Sequence, residues 1–250
     1  MGKMSALIIV ELKKLVRDPM NLFVLLLMPI SLTLIFFIAM KDLPTWWMED
    51  TSHFEFLVPG AMGFAIIYMG MMVALGLNEY REAGILRRLQ TTPTSAFEYM
   101  GSLIIANMLI SAFQGLVVLV FAVVLGFEPQ GGFWGWVITG LFLANLGITA
   151  VGLALITATV AKNSGAASGL SMVFILPMMM FGTWLAAFSE MTMSIAKYTP
   201  NHYVTATLTH IYHGGSLTDG LVWKNFLILS AISLVVVVVG IQLFKKTEYR

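Results

Sequence analysis

Residues 20–40 read MNLFVLLLMPISLTLIFFIAM, an unbroken apolar run with no charge, fenced by Asp18 and Lys41. A hydrocarbon layer about 30 Å thick takes roughly 20 apolar residues in a helix, because a backbone facing lipid must satisfy its own hydrogen bonds. Five further stretches meet the same requirement: about Phe56–Leu77, Tyr99–Phe127, Phe133–Ala161, Gly165–Ser189 and Phe226–Phe244. With 58% hydrophobic residues, 11% charged residues and mean hydropathy +0.87, water is excluded as the main solvent. The expected fold is an all-α integral membrane protein: a single transmembrane domain over residues 1–250 with six spans. The Val235–Val239 run would suit a strand in water but is tolerated in a membrane helix.

Charge distribution orients the spans, because cytoplasmic flanks hold Lys and Arg preferentially. With the N-terminus inside, Lys3, Lys13, Lys14, Arg17, Arg81, Arg87, Arg88, Lys162, Lys245, Lys246 and Arg250 are all cytoplasmic. Lys41, Lys197 and Lys224 fall outside, among Asp42, Glu49, Asp50, Glu128, Glu190 and Asp219. Both termini are therefore expected in the cytoplasm of a multi-pass cell-membrane protein. The first apolar run is long and lacks a small-x-small cleavage site before Lys41, so it reads as a retained helix rather than a signal peptide. A net charge of +1 gives no basis for nucleic-acid binding. The absence of cysteine excludes disulfides and thiol chemistry.

Three segments between spans carry pattern. Residues 4–17 set Met4, Leu7, Ile8, Leu12 and Leu15 on one helical face, with Lys13, Lys14 and Arg17 opposite and Glu11 as an exception. This is an interfacial helix lying on the membrane, or a plain basic flank; Asp18-Pro19 ends it. Residues 79–90 predict a short cytoplasmic helix capped near Asn78 and ended by Pro93, grouping Ile85, Leu86 and Leu89 against Arg81, Arg87 and Arg88. Such a knob can dock on a soluble partner, apolar residues anchoring and charges setting register, or rest on lipid headgroups. On the outer side, residues 190–223 are semi-apolar, and Pro200-Asn201-His202-Tyr203 predicts a half-helix dipping into the membrane or lying on it. His202, His210 and His213 are irregularly spaced without paired carboxylates, so no metal site is assigned.

No ionisable group lies at the centre of a span, which argues against a membrane enzyme or a proton-coupled carrier. No G-x-x-x-x-G-K-[ST] loop occurs, so any nucleotide chemistry belongs to a partner. Ser31, Thr33, Asn107, Gln114, Asn145, Thr149 and Thr157 line a route or join helices, and joining is the favoured reading. Gly165 and Gly169 form a G-x-x-x-G, pointing to close helix contact within one chain or between two. Pro29, Pro59 and Pro177 permit kinks.

Taken together, these features resemble the membrane subunit of type-2 ABC transporters, the exporter permeases. The resemblance is carried by Glu11-Leu12-Lys13-Lys14 through Asp18-Pro19 with Pro29, then by Val58-Pro59-Gly60 and by Glu82-Ala83-Gly84-Ile85-Leu86 through Leu89 with Thr92-Pro93. Pro177 with Phe181-Gly182, and Pro200-Asn201-His202-Tyr203, complete it. It departs at Thr209-His210, where the family often has an arginine. The resemblance implies a coupling helix at Glu82, Gly84, Ile85, Leu86, Arg87, Arg88 and Leu89, seated on a separate ABC ATPase subunit. It also implies an outer re-entrant region, and two copies of each subunit. ATP and magnesium would sit on the partner, with no cofactor in this chain. The expected function is export of a drug-like molecule, lipid, glycan or ion. The rival reading is a non-transporting membrane scaffold or assembly factor.

Overall fold

A chain in hydrocarbon has no water to take up its N–H and C=O groups, so each apolar run closes its own ladder as a helix. The computed structural model describes residues 3–40, 53–91, 94–184 and 190–248. In chain order these form α1 (Lys3–Arg17), α2 (Pro19–Met40), α3 (His53–Glu82), α4 (Ile85–Gln90) and α5 (Ala96–Val124). There follow α6 (Gly132–Val160), α7 (Ser164–Met179, continued by a π-helical turn Met180–Trp184), α8 (Glu190–Ala196), α9 (Pro200–Tyr212) and α10 (Gly220–Glu248). Six of them, α2, α3, α5, α6, α7 and α10, are long and apolar enough to cross a membrane. The chain is a multi-pass membrane protein.

Expected spans and helices agree in number and order, and differ at the ends. α10 begins at Gly220 rather than near Phe226, and α3 runs on to Glu82, well past Leu77. The last part of the fifth span, residues 185–189, lies outside the described residues, as do Lys41, Asp42, Glu49, Asp50, Thr92, Pro93 and Arg250.

α3 and α6 form the axis. In each, 72% of the span is buried, against 17% in α2 and 22% in α10. They touch backbone to backbone, since a Cβ at Gly70 would lie 3.0 Å from the Ala150 carbonyl oxygen. α6 meets α10 in the same way: a Cβ at Gly240 would lie 2.7 Å from the Gly152 carbonyl oxygen. Lipid tails are as apolar as leucine, so such small-residue contacts supply dispersion that the hydrophobic effect cannot supply here. The Gly165–Gly169 pair is different. A Cβ at Gly169 meets nothing within 4 Å, and at Gly165 only the side chain of Asn163 at 3.5 Å. Among the described residues of one chain, this G-x-x-x-G makes no close approach to another helix; the backbone-to-backbone approaches are at Gly70, Gly152 and Gly240, while Gly63, Gly115 and Gly147 are met by side chains of Asn201, Leu143 and Ser111.

Polar side chains in the spans divide into two groups. Ser31, Thr33, Asn107 and Thr157 bond carbonyls one turn back in their own helices. Others cross between helices. Asn145 Nδ2 donates to Ser230 Oγ at 2.7 Å, and Ser233 Oγ lies 2.7 Å from both Asn145 Oδ1 and Thr149 Oγ1, tying α6 to α10. Gln114 of α5 is fully buried and its Nε2 donates to the Leu25 carbonyl at 2.9 Å. That carbonyl is the one a helical residue at position 29 would have bonded, and Pro29 has no N–H to give. Gln114 therefore closes the gap that Pro29 opens in α2.

Gln114→Leu should lower stability by about 1 kcal/mol, measured as unfolding in detergent micelles. Adding Pro29→Ala should recover most of the loss, because an alanine there supplies the missing donor; absence of recovery would show that this bond is not what Gln114 contributes. A second expectation concerns the glycines. Gly152→Leu should destabilise the bundle by about 1–3 kcal/mol through overpacking, whereas Gly169→Ala should leave the melting temperature of the single chain unchanged.

Candidate functional site

The stretch 78–91 departs from its expected form. Nothing from Leu77 to Glu82 breaks helical hydrogen bonding, so α3 continues through it and Asn78 is no cap. Asn78 is buried in α3, where Nδ2 donates to the Ala74 carbonyl at 2.9 Å. The break comes at Ala83-Gly84. Gly84 takes φ +70°, a conformation that costs other L-residues about 1–2 kcal/mol, and its N–H donates to the Arg81 carbonyl at 3.0 Å. The helix expected over 79–90 is thus two pieces: the end of α3, and α4.

The two pieces face different ways. Leu86 of α4 is buried in a cluster that also holds Leu77, Tyr99, Met100, Leu155 and Phe244, which come from α3, α5, α6 and α10. Arg87 and Arg88 are exposed, and Ile85 is 36% exposed; the Leu89 side chain lies outside the described residues. Arg81 does not join the Arg87–Arg88 face. Its Nη1 donates to Asn78 Oδ1 and to the carbonyl of Ala161, the residue that closes α6, each at 3.0 Å. Glu82 reaches the next helix: its Oε1 accepts from Ser164 N at 2.8 Å and Ser164 Oγ at 3.1 Å. A carboxylate there complements the positive end of α7. The last turn of α3 thereby clasps the turn at residues 161–164. Sequence reading missed Ser164 and Ala161; the short polar gap Lys162-Asn163-Ser164 between two spans was the available signal, with Asn163 as the N-cap of α7.

α1 lies at this same end, with Met4 packed at Gly101 near the start of α5. Lys13, Lys14 and Arg17 are exposed as expected. Lys14 also has a partner within the protein: its Nζ stands 4.2 Å over the ring of Tyr80 on α3. Lys3, Lys13, Lys14, Arg17, Arg81, Arg87, Arg88, Lys162, Lys245 and Lys246 thus gather at one end of the bundle, outnumbering the acids Glu11, Asp18, Glu79, Glu82 and Glu98 there, while Glu55, Glu128, Glu190 and Asp219 lie toward the other with Lys197 and Lys224.

At that opposite end residues 190–223 hold two helices and the start of α10. Pro200 is the first residue of α9, where its missing N–H costs nothing. Val204, Leu208, Ile211 and Tyr212 are buried, and Tyr212 Oη lies 2.9 Å from Thr139 Oγ1 of α6. Asn201 is fully buried beside Gly63 and Gly182, and neither polar atom of its amide has a hydrogen-bond partner among the described residues. His202 is half-buried, and burial first, Lys197 second, hold its pKa below the usual histidine range. Tyr203 Oη donates to the Lys197 carbonyl at 2.7 Å. His210 Nε2 lies 3.4 Å from Asp219 Oδ2 and His213 Nδ1 lies 2.8 Å from the Thr209 carbonyl, so the three histidines do not converge. The described residues hold no group of three metal-ligating side chains.

The arrangement is a basic end with a small exposed helix rooted in four spans. The family model described as ABC-2 type transporter matches residues 3–212, from α1 through α9. The chain belongs to the ABC-2 type transporter family. Comparison with curated proteins gave no match. As a member it is a membrane transport subunit and not itself catalytic, and the family normally works with an ATP-binding subunit.

The clasp makes a specific expectation for this permease. Glu82→Ala removes the acceptor of the Ser164 N–H, so hydrogen exchange at that amide should speed up by roughly tenfold or more while the bundle still melts as before. Unchanged exchange would mean that the 161–164 turn is held by something else.

Proposed function

We propose that this permease is the membrane-spanning subunit of an ATP-driven exporter, with the basic end in the cytoplasm and α4 as the handle grasped by a separate ATPase. The single observation that carries the reading is the division of labour on α4. Arg87 and Arg88 project from the bundle, while Leu86 sits in a core shared by α3, α5, α6 and α10. A load applied to the exposed face therefore reaches four spans at once, and through Arg81 and Glu82 it reaches the turn into α7. Closure of the ATPases on ATP favours whichever bundle state gives α4 the better fit, since a ligand shifts an equilibrium only through its different affinity for the two states. Gly84 sets the angle between α4 and α3.

Two copies of the chain with two ATPases form the working unit. The open face at Gly165 and Gly169 supports contact with a second copy. α1, with Lys13 and Arg17 exposed, lies along the inner membrane surface, and Pro200, Asn201, His202 and Tyr203 belong to an outer re-entrant element. A scaffold that moves nothing would need no joint between an exposed basic helix and four spans, which is why the exporter reading is preferred.

The test is reconstitution in lipid nanodiscs with the cognate ATPase. Arg87→Glu with Arg88→Glu should reduce the stimulation of ATP turnover by roughly tenfold or more while the melting temperature stays the same; Gly84→Pro, which cannot adopt φ +70°, should lose the stimulation too, with a lowered melting temperature as Leu86 leaves its cluster. Stimulation at the wild-type level in both variants would overturn the assignment. The chain has no cysteine, so a single cysteine at position 87 can be labelled from either side, and labelling from outside the cell would overturn the orientation.

A further inference from the structure

Asn201, the second residue of α9, fills the space left by two missing side chains. Its Oδ1 occupies the place that a Cβ at Gly63 of α3 would take, and a Cβ at Gly182 of the π-helical turn would lie 2.9 Å from Asn201 Cβ and 3.1 Å from Nδ2. The residue is fully buried, and neither polar atom of the amide is hydrogen-bonded among the described residues. The polar groups nearest to it are already engaged: Thr199 Oγ1 donates to the Ala196 carbonyl at 2.7 Å, and the Asn201 carbonyl accepts from Thr205 Oγ1 at 3.0 Å. An amide in this condition carries the cost of its desolvation with no bond in return.

The two backbones that flank it differ in kind. α3 runs on helically past Gly63, so its N–H and C=O groups there are bonded along the helix. The other side is irregular. Pro177 has no N–H, which leaves the Val173 carbonyl without the donor four residues on, and Met180–Trp184 is wound with the wider π-helical bonding. A π turn holds one residue more than the α-helix it interrupts, so a change in its winding carries backbone groups past whatever faces them. Of the two sides, only this one can offer the amide a backbone partner without breaking the axis of the bundle.

We propose that residues 177–184 have a second arrangement, in which the π-helical turn is rewound and a backbone carbonyl it releases accepts from Asn201 Nδ2, and that Asn201 sets the balance between the two arrangements. The unpaired amide raises the energy of the arrangement described here, and the bond lowers that of the other, so the gap between them narrows. A leucine at 201 has the same branching without the polar atoms: it removes the cost here and gains no bond there. Gly182 permits the arrangement described here, since any Cβ at that position meets Asn201 and Thr199 Oγ1, each within about 3.1 Å. Packed helices pass between discrete arrangements of this sort. The inference stands apart from the exporter reading, since it requires neither an ATPase nor a particular orientation.

The test uses the full chain in lipid nanodiscs. It has no cysteine, so Met180→Cys carries a single trifluoromethyl label within the turn, read by fluorine NMR. The expected result is two lines, or one averaged line, whose balance moves in opposite directions in two variants. Asn201→Leu should shift it toward one arrangement by roughly tenfold or more and raise the melting temperature; Asn201→Ala, which adds no bulk, should shift the spectrum the same way. Gly182→Ala should shift it toward the other. A spectrum that none of these variants moves, or that Asn201→Ala and Gly182→Ala move in the same direction, would overturn the proposal. So would a lowered melting temperature in Asn201→Leu with an unmoved spectrum, which would show that the amide already has its partner.

Discussion

Hydrocarbon offers no hydrogen bonds, so every polar group carried into this bundle must find its partner inside the protein or bear the full cost of desolvation, about 1–3 kcal/mol for a neutral group. That constraint explains more of the structure than apolar burial does, because lipid satisfies an apolar side chain as well as another helix can. It accounts for the meeting of Gln114 with the carbonyl left open by Pro29. It accounts equally for the Asn145, Thr149, Ser230 and Ser233 group between α6 and α10. Each is a contact between helices far apart in sequence, and each fixes register as well as distance. Asn201 departs from it, fully buried with its amide unpaired among the described residues and pressed toward two glycines, and Gln114 Oε1 is likewise buried without a partner there.

The number and order of the spans were legible because a long uncharged run has few other physical solutions. The helix ends were harder to read. Asn78, Glu79 and Arg81 look like the start of a surface helix when charge is taken to mean water, yet a polar residue inside a helix can bond its own preceding turn, as Asn78 does. The break at Gly84 was present as a glycine, but its positive φ is a property of the fold. Arg87 and Arg88 were readable as exposed, since an apolar bundle offers two adjacent cations no partner. Arg81 was not separable from them, because its partner is a backbone carbonyl eighty residues away. The same limit applies to glycine: G-x-x-x-G at Gly165 and Gly169 is the more obvious motif, but the tightest backbone-to-backbone approaches occur at Gly70, Gly152 and Gly240, and Gly63, Gly115 and Gly147 receive side chains of other helices.

The break at Gly84 has a mechanical meaning that a continuous helix would lack. If α3 ran straight on, the six residues of α4 would extend it by about 9 Å as a free rod beyond the bundle. Leu86 would then have no core to enter, and a push on Arg87 or Arg88 would bend a lever held at one end. Turning at Gly84 brings Leu86 into the cluster around Leu77, Tyr99 and Phe244. The rod becomes a wedge supported from several sides. Meanwhile the true end of α3 is left to Arg81 and Glu82, whose partners close α6 and open α7. On the proposed coupling role, a single glycine thus separates two tasks that a straight helix would merge: receiving force through an exposed basic face, and distributing it through the cluster around Leu86 and the bonds of Arg81 and Glu82. Packed interfaces of this kind move between discrete arrangements rather than deforming smoothly, which is what the proposed alternation between two states requires.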